Sequence, residues 1–369
     1  MKENCLMQNR RQFLKPLLQL AVCGITASSS ISFAADKPNF TLVVHGGAGV
    51  ISRQTISPEV EAKYRAAIDR ALVKGHAILA KGGTSTEAVV AVIKEFEDDP
   101  LFNAGKGAVF TNEGRNELDA SIMDGKTGLA GAVAGVTTIK NPITAARAVM
   151  EKTKHVMLIG KGAEKFAADQ KLELVDPSYF YTQWRWEQLQ RAKEKQKIEL
   201  DHNGKNPQAG LSIEQQQKQV DQNVPYWQTD YKYGTVGAVA LDQDGNLAAG
   251  TSTGGLTNKM YGRVGDAPII GAGTYADNAS AAISCTGTGE FFIRGAIAFD
   301  ITARMKYSKL SLSDAVDQTI QNALEAKSGD GGLIALDRQG NIKFGFNTEG
   351  MYRGYIKSDG KPVSMIFKD

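Results

Sequence analysis

The sequence predicts a mixed fold of α-helices and β-strands, of the α+β class. Stretches with helix caps and one apolar face alternate with short runs of small and β-branched residues. Two pairs of these runs are joined by turn residues, which is the pattern of a β-hairpin. No GxGxxG motif follows a predicted strand with an acidic residue at the expected distance. The sequence therefore disfavours a parallel sheet that binds a dinucleotide.

The first 34 residues have the pattern of an export signal and are set aside from the fold. Arg10 and Arg11 precede an apolar run over residues 13–27, and residues 32–34 (SFA) are suited to signal peptidase. Residues 9–15 (NRRQFLK) also resemble the twin-arginine signature, so twin-arginine and general secretion both stay open. We therefore expect a periplasmic or secreted protein.

Two alternatives for this segment are a membrane anchor and a lipid-modified Cys23. The apolar run is short for an anchor, and Gln19 interrupts it. Val22 is bulky at the position where a lipoprotein signal has a small residue. We expect no membrane association once the signal is removed.

Charge and cysteine content narrow the function classes. The 369 residues carry a formal charge of +3, and removing the signal, with four basic residues and one acid, leaves a neutral chain. Such a chain has no basic surface for nucleic acid. Removal also leaves Cys285 as the one cysteine, so no intrachain disulfide is expected, and the four histidines lack metal-ligand spacing.

The first predicted elements are a strand and two helices. Residues 40–44 form a short apolar strand that we expect to enter a glycine loop at 45–49 (HGGAG). Ser57-Pro58 begins a helix that runs to about Ala80, where glycines follow. Thr84 or Ser85 caps a second helix with a buried apolar face.

The middle of the chain alternates between strands and a helix. Small residues at 118–123 and 131–136 predict strands, a helix runs from Asn141-Pro142 to about Glu151, and 156–159 is a further strand. From about Gln188 to Lys232 the composition shifts to Gln, Lys, Asn and Asp, which predicts a mobile linker.

Two hairpins are predicted in the last third. The runs at 233–242 and 245–255 meet at the turn sequence DQDGN (242–246), and residues 333–337 and 341–346 repeat the pattern across RQG. A helix is predicted at 315–326, between the two hairpins.

The Gly234-Thr235 pair opens the first of these hairpins and suggests a nucleophile. A threonine hydroxyl is a weak nucleophile until a base lies beside it, and cleavage of this bond would give Thr235 an α-amine as that base. An α-amine has a pKa of roughly 7.7–8.0, so a useful fraction is neutral near pH 7. Gly234 allows strained backbone angles at the bond to be cut. An arbitrary Gly-Thr pair more often starts a buried strand.

Further clusters of glycine and polar residues favour the nucleophile interpretation of Gly234-Thr235 over an ordinary buried strand. They are 251–255 (TSTGG), 262–266 (GRVGD) and 286–290 (TGTGE), with HGGAG at 45–49 and PLFNAG at 100–105 upstream. Together with Gly234-Thr235, in this order, they resemble the plant-type L-asparaginase and isoaspartyl peptidase family of N-terminal nucleophile hydrolases. The resemblance spans about residues 40–351 and implies a four-layer αββα sandwich. It also implies one folded unit, cut into an α chain (35–234) and a β chain (235–369).

The resemblance assigns catalytic roles to four residues. It implies that Thr235 attacks first the Gly234 carbonyl, which matures the protein, and then the side-chain carbonyl of asparagine or a β-aspartyl dipeptide. Thr253 would orient the nucleophile, and Thr286 with the Gly287 amide would form the oxyanion hole. No cofactor is expected for catalysis.

Binding roles follow from the same resemblance. Arg263 would bind the substrate α-carboxylate through its planar fork and Asp266 the α-ammonium, with Gly287, Gly289 and Asn103 also contacting substrate. The alternative is a surface salt bridge, since charges three residues apart often face solvent together, but the flanking Gly262 and Gly265 favour a binding site. The family also binds a structural sodium ion through backbone carbonyls, which correspond here to Phe96, Glu97, Asp99, Phe102, Ala104 and Lys106. It assembles as a dimer of α/β units.

Other functions remain as alternatives. A glycosylasparaginase would share the nucleophile and the Arg–Asp pair but accept a sugar-bearing leaving group. A periplasmic amino-acid-binding protein would keep the charged pair without chemistry, although Thr235, Thr253 and Thr286 argue against it. A serine or metal hydrolase is disfavoured because neither GxSxG nor HExxH occurs.

Overall fold

The computed structural model describes residues 39–194 and 234–368. The predicted export signal and most of the predicted linker lie outside these ranges. All described residues fall in one compact unit. Within them, no helix is long and apolar enough to cross a membrane.

The described residues form two sheets, and the larger has eight strands in the order β12-β11-β1-β5-β6-β2-β3-β4. Neighbours are antiparallel except β3 and β4, which are parallel. The strands are β1 (Thr41–Gly49), β2 (Leu118–Asp124), β3 (Ala130–Val136), β4 (Met157–Ile159), β5 (Val236–Leu241), β6 (Leu247–Thr253), β11 (Gly350–Lys357) and β12 (Val363–Phe367). The predicted hairpin at 233–255 is the β5–β6 pair at the centre of this sheet.

The smaller sheet has four antiparallel strands in the order β10-β9-β8-β7. They are β7 (Thr274–Ala276), β8 (Ala281–Gly287), β9 (Gly331–Asp337) and β10 (Ile342–Phe346). The second predicted hairpin is the β9–β10 pair.

Eight α-helices occur in the described residues. They are α1 (Pro58–Ala80), α2 (Ser85–Asp98), α3 (Pro142–Lys152), α4 (Gly160–Asp169), α5 (Gln183–Glu194), α6 (Gly289–Gly295), α7 (Ile297–Ser308) and α8 (Leu312–Thr319). The helix predicted at 315–326 starts earlier, where Ser311 caps α8, and its second half is π- and 3-10-helical.

Three apolar clusters connect these elements. One joins α1, α2 and α3 to the large sheet, and a second joins α7 and α8 to the small sheet. The third contains residues of both sheets, among them Val43 and Val239 of the large one and Ile334 and Leu336 of the small one. The fold is thus of the α+β class, and side chains of the two sheets share one buried cluster.

The helix starts follow the predicted caps. The Ser57 hydroxyl accepts a hydrogen bond from the Val60 amide, and Pro58 stands in the first turn of α1. Thr84 rather than Ser85 caps α2, and it forms a reciprocal capping box with Glu87.

The prediction that β1 ends at a glycine loop was wrong. The strand continues through residues 45–49, because Gly47, Ala48 and Gly49 pair with β11 across a β-bulge after His45. Gly46 is needed for space, since a Cβ there would lie 2.5 Å from the Phe102 ring.

The start of the predicted linker also needs correction. Residues 188–194 belong to helix α5, where Gln188, Leu189 and Ala192 are buried. The Arg185 side chain on the same helix is fully buried and donates to the Gly107 carbonyl at 2.8 Å. This packing outweighs the polar composition that suggested a linker.

Candidate active site

Thr235 lies immediately before β5, next to a buried Gly234. Its Oγ1 donates a hydrogen bond of 3.0 Å to Oγ1 of Thr253, the last residue of β6. The β5–β6 ladder produces this contact, because Val236 pairs with Ser252. The structure therefore brings the two predicted threonines together.

Thr253 is held by its own turn. Its Oγ1 also accepts a hydrogen bond from the Gly255 amide at 3.0 Å. Gly255 has a φ of +82°, which L side chains rarely adopt, so glycine suits this turn. The hydroxyl that accepts from Thr235 is thus fixed from the opposite side.

Asn103 supports the same turn. Its Nδ2 donates to the Gly255 carbonyl at 2.9 Å, and its Oδ1 accepts from the Val109 amide at 3.0 Å. Its backbone carbonyl accepts from the Gly254 amide. Asn103 is fully buried, and both ends of its amide are engaged by the protein. The structure shows it joining the 100–107 loop to the turn after Thr253.

Thr286 and Gly287 end β8 in the smaller sheet. The Thr286 side chain is fully buried, and its Oγ1 has no hydrogen-bond partner among the described residues. Buried hydroxyls normally have a partner, so this donor is available to a ligand. β8 crosses β5 closely, since a Cβ on Gly237 would lie 2.0 Å from the Ser284 hydroxyl. Thr235 and Thr286 each lie two residues from that crossing.

Arg263 pairs with Glu290 rather than with Asp266. Its Nε and Nη2 donate to the two carboxylate oxygens of Glu290 at 3.0 and 2.9 Å. Gly289 separates Arg263 from Asp266, because a Cβ there would lie 2.9 Å from both Arg263 Nη2 and Asp266 Oδ1. The two predicted binding residues therefore flank a space that only glycine leaves open.

Asp266 is a buried carboxylate with an unsatisfied oxygen. It is 4% exposed, and its Oδ2 has no partner among the described residues. Burial raises the pKa of Asp266 to about 7, although the nearby Arg263 guanidinium opposes the rise. A substrate ammonium group at this position would supply the missing partner.

A buried lysine lies beside these residues and was not predicted. Lys259 is 1% exposed, and its Nζ donates to the Glu117 carbonyl at 3.1 Å. Burial lowers the pKa of Lys259, opposed by the Asp119 and Glu117 carboxylates, and burial raises the pKa of Asp119, opposed by Lys259. Asp119 pairs with Thr253 across β2 and β6. The position of Lys259 between two glycine motifs was the one sequence signal available.

A chain of buried hydroxyls between the sheets was also not predicted. Ser284 Oγ lies 2.9 Å from His45 Nε2 and 2.7 Å from Thr251 Oγ1, and Thr274 Oγ1 donates to Thr251 Oγ1. Ser121 Oγ lies 2.8 Å from Thr274 Oγ1 and donates to the carbonyl of Ala267, which follows Asp266. The chain links the strands that carry Thr253 and Thr286 to the segment that carries Asp266.

Residues 96–107, the end of α2 and the loop that follows it, carry the six backbone carbonyls expected to bind sodium. A Cβ on Gly105 would lie 2.2 Å from the Glu97 carbonyl oxygen, and a Cβ on Gly107 would lie 2.0 Å from that of Phe102. Glycine is needed at both positions, because these two carbonyls lie against the Cα atoms of the turn. Backbone carbonyl oxygens are hard ligands of the kind that suit a sodium ion. The described residues contain no cluster of three or more His, Cys, Asp or Glu suited to a metal ion.

Glu97 contributes a side chain as well as a backbone carbonyl. Its Oε1 accepts from the Ser252 hydroxyl at 2.7 Å and from the Ile143 amide at 3.0 Å. Burial raises the pKa of Glu97 to about 8, against the effect of these hydrogen bonds. Glu97 therefore joins the end of α2 to β6, at the residue before Thr253.

Known proteins are similar to this chain over most of its length. The family model described as asparaginase matches residues 38–366. The chain is 48% identical to the isoaspartyl peptidase of Escherichia coli, covering 89% of this chain and 96% of that protein. It is 42% identical to the plant-type L-asparaginase of Pyrococcus abyssi, covering 86% and 96%, and 39% identical to the isoaspartyl peptidase/L-asparaginase of Xenopus laevis, covering 86% and 92%.

These matches confirm the resemblance drawn from the motifs. The family model covers most of the chain, and it includes every residue discussed at the site. The chain therefore belongs to the asparaginase family.

Proposed function

We propose that this chain is a hydrolase of isoaspartyl dipeptides and L-asparagine that is activated by cleavage of the Gly234–Thr235 bond. The observation that carries the proposal is the 3.0 Å hydrogen bond from Thr235 Oγ1 to Thr253 Oγ1, at the predicted cleavage site. The curated relatives carry the same activities in their names.

Maturation begins with attack of Thr235 Oγ1 on the Gly234 carbonyl. The peptide bond to the Thr235 nitrogen breaks, an ester to Oγ1 forms, and the nitrogen leaves as an amine. Water then hydrolyses the ester, which restores the hydroxyl and leaves a carboxylate on Gly234. Thr253 fixes the direction of Oγ1 in this step.

Catalysis uses the same hydroxyl with the new α-amine as base. Oγ1 attacks the side-chain carbonyl of the substrate, and the negative charge that develops on its oxygen is stabilised by the Thr286 hydroxyl and the Gly287 amide. Ammonia or an amino acid leaves, and an aspartyl ester remains on Thr235. Water hydrolyses this ester and releases aspartate.

Substrate recognition rests on the two free main-chain charges of the amino acid. Arg263 binds the α-carboxylate, and Asp266 binds the α-ammonium in the space beside Gly289 and Gly287. Asn103 acts on this site by holding the Gly254–Gly255 turn, which its hydrogen bonds support.

Several features extend the proposal. The backbone carbonyls of Phe96, Glu97, Asp99, Phe102, Ala104 and Lys106 would hold a structural sodium ion, which would rigidify the loop beside Asn103. The three apolar clusters support an αββα order of layers.

We also propose a dimer of α/β units and export to the periplasm or medium. Cell fractionation tests the proposed export.

Intact mass of the purified protein, beside Thr235→Ala, tests the function. We expect the wild type to give two chains, one starting at Thr235, and the variant to stay whole and inactive. Turnover of β-aspartyl dipeptide and asparagine should exceed that of glycosylasparagine. An uncut wild type that binds aspartate without turnover would refute the proposal in favour of a binding protein.

A further inference from the structure

The Arg263–Glu290 ion pair uses one defined edge of the guanidinium. Nε and Nη2 donate to Glu290, and Nη1 takes no part in this bidentate contact. The Arg263 side chain is 18% exposed, whereas that of Glu290 is 49% exposed. Glu290 thus holds Arg263 from the solvent side.

Two glycines border the guanidinium on its other sides. A Cβ on Gly265 would lie 2.8 Å from Nη1, and a Cβ on Gly289 would lie 2.9 Å from Nη2. The Gly289 position is also 2.9 Å from Asp266 Oδ1. The Arg263 guanidinium and the Asp266 carboxylate therefore both lie next to Gly289.

From this geometry we infer that Glu290 is a positioning residue, which fixes the Arg263 guanidinium so that its remaining N–H groups face the substrate α-carboxylate. The inference rests on the proposed function, in which Arg263 binds that carboxylate. An arginine side chain has many rotamers, and the bidentate contact selects one of them before substrate arrives.

Glu290 could in principle act in the opposite way, as a competitor that holds Arg263 away from substrate. Two observations favour positioning. Glu290 occupies the Nε–Nη2 edge and leaves the Nη1 side, so a second carboxylate can bind without displacing it. Its half-exposed carboxylate is also screened by water, which weakens its repulsion of a substrate carboxylate.

Glu290→Gln tests this, because it keeps the size of the side chain and replaces one acceptor oxygen with a donor. We expect KM for L-asparagine to rise about tenfold, the effect of losing one charge-assisted contact. The kcat should stay within about twofold, because Arg263 binds the substrate α-carboxylate equally in the ground state and the transition state. The rate of self-cleavage should be unchanged, because the Gly234–Thr235 bond carries no free α-carboxylate.

Glu151→Gln is the matched control. Glu151 accepts from Arg147 Nε at 2.6 Å on α3, so it is also a partly exposed Arg–Glu pair. This variant should leave both KM and self-cleavage unchanged.

Two inhibitors separate positioning from a general structural effect. Inhibition by L-aspartate should weaken about tenfold in Glu290→Gln, whereas inhibition by β-alanine, which lacks the α-carboxylate, should not change. An unchanged or lower KM for asparagine, or equal weakening of both inhibitors, would overturn the inference. If the wild type hydrolyses no asparagine, the proposed function fails, and calorimetric binding of L-aspartate to wild type and variant still decides the role of Glu290.

Discussion

Thr253 Oγ1 accepts hydrogen bonds from Thr235 Oγ1 and from the Gly255 amide, each at 3.0 Å. The second bond fixes the direction of the first, because it holds the Thr253 hydroxyl in its turn. The proposed nucleophile, Thr235, is therefore hydrogen-bonded to a residue that is itself anchored to the backbone.

Thr253→Val removes this hydroxyl while keeping the side-chain shape. We expect kcat to fall about 10²-fold, the typical effect of a misdirected reacting group, with a slower self-cleavage. Stability should fall by about 1 kcal/mol, because the Gly255 amide loses its partner. Thr302→Val is the control, since Thr302 is also buried and its hydroxyl donates to the Phe299 carbonyl within α7. Equal loss of kcat in both variants would contradict the orienting role.

Thr286→Val removes the buried hydroxyl that has no partner in the described structure. We expect kcat to fall about 10²–10³-fold with little change in KM, because an oxyanion donor acts mainly in the transition state. Thr302→Val is again the control, since its hydroxyl donates to the Phe299 carbonyl of its own helix. Steady-state kinetics with asparagine gives both values, and a rise in KM alone would argue for a ground-state contact instead.

Asp266 predicts a pH dependence of binding. Its pKa is raised to about 7, mainly by burial, and only the ionised form attracts an ammonium group. KM for asparagine should therefore rise as the pH falls below about 7. Succinamate lacks the α-ammonium, so its inhibition constant should not follow this dependence, and parallel changes for both ligands would contradict the assignment.

The raised pKa of Asp266 also predicts how the stability of the folded state changes with pH. In the unfolded chain its pKa is about 3.9, so the unfolded state releases this proton first as the pH rises. The folded state therefore loses stability between about pH 4 and pH 7. Asp266→Asn should be more stable than the wild type at pH 8 and equal to it near pH 4, as measured by thermal unfolding.

Gly289→Ala tests the space between Arg263 and Asp266. A methyl group there would lie 2.9 Å from atoms of both side chains, closer than real Cβ contacts. We expect KM to rise at least about tenfold, the equivalent of about 1.4 kcal/mol of binding. Gly162→Ala in α4 is the control, because a Cβ there meets nothing within 4 Å. It should stabilise the protein by about 0.5–1 kcal/mol.

Local signals in the sequence predicted local structure well. Ser57-Pro58 and Thr84 begin α1 and α2 because capping depends on neighbouring residues alone. The β5–β6 hairpin was predicted for the same reason, and it suffices to bring Thr235 to Thr253. The order of the motifs supplied the family, which the comparisons confirm.

Contacts between segments that are distant in the sequence were harder to predict. The extension of β1 depends on pairing with β11 near the other end of the chain, which outweighs the tendency of glycines to end a strand. The pairing of Arg263 with Glu290 instead of Asp266 depends on a residue 27 positions away. The burial of Lys259 beside Glu117 joins residues 142 positions apart, and no motif links them.

The order of strands in the large sheet determines what the proposed cleavage does to the molecule. β1 lies between β11 and β5, and β2 pairs with β6. Strands from before Thr235 and strands from after it therefore alternate in this sheet. Backbone hydrogen bonds join the two segments at three ladders, β1–β11, β1–β5 and β2–β6. Breaking the Gly234–Thr235 bond frees an amine but does not separate the two segments. The products are therefore not independent domains, because their strands stay paired within one sheet.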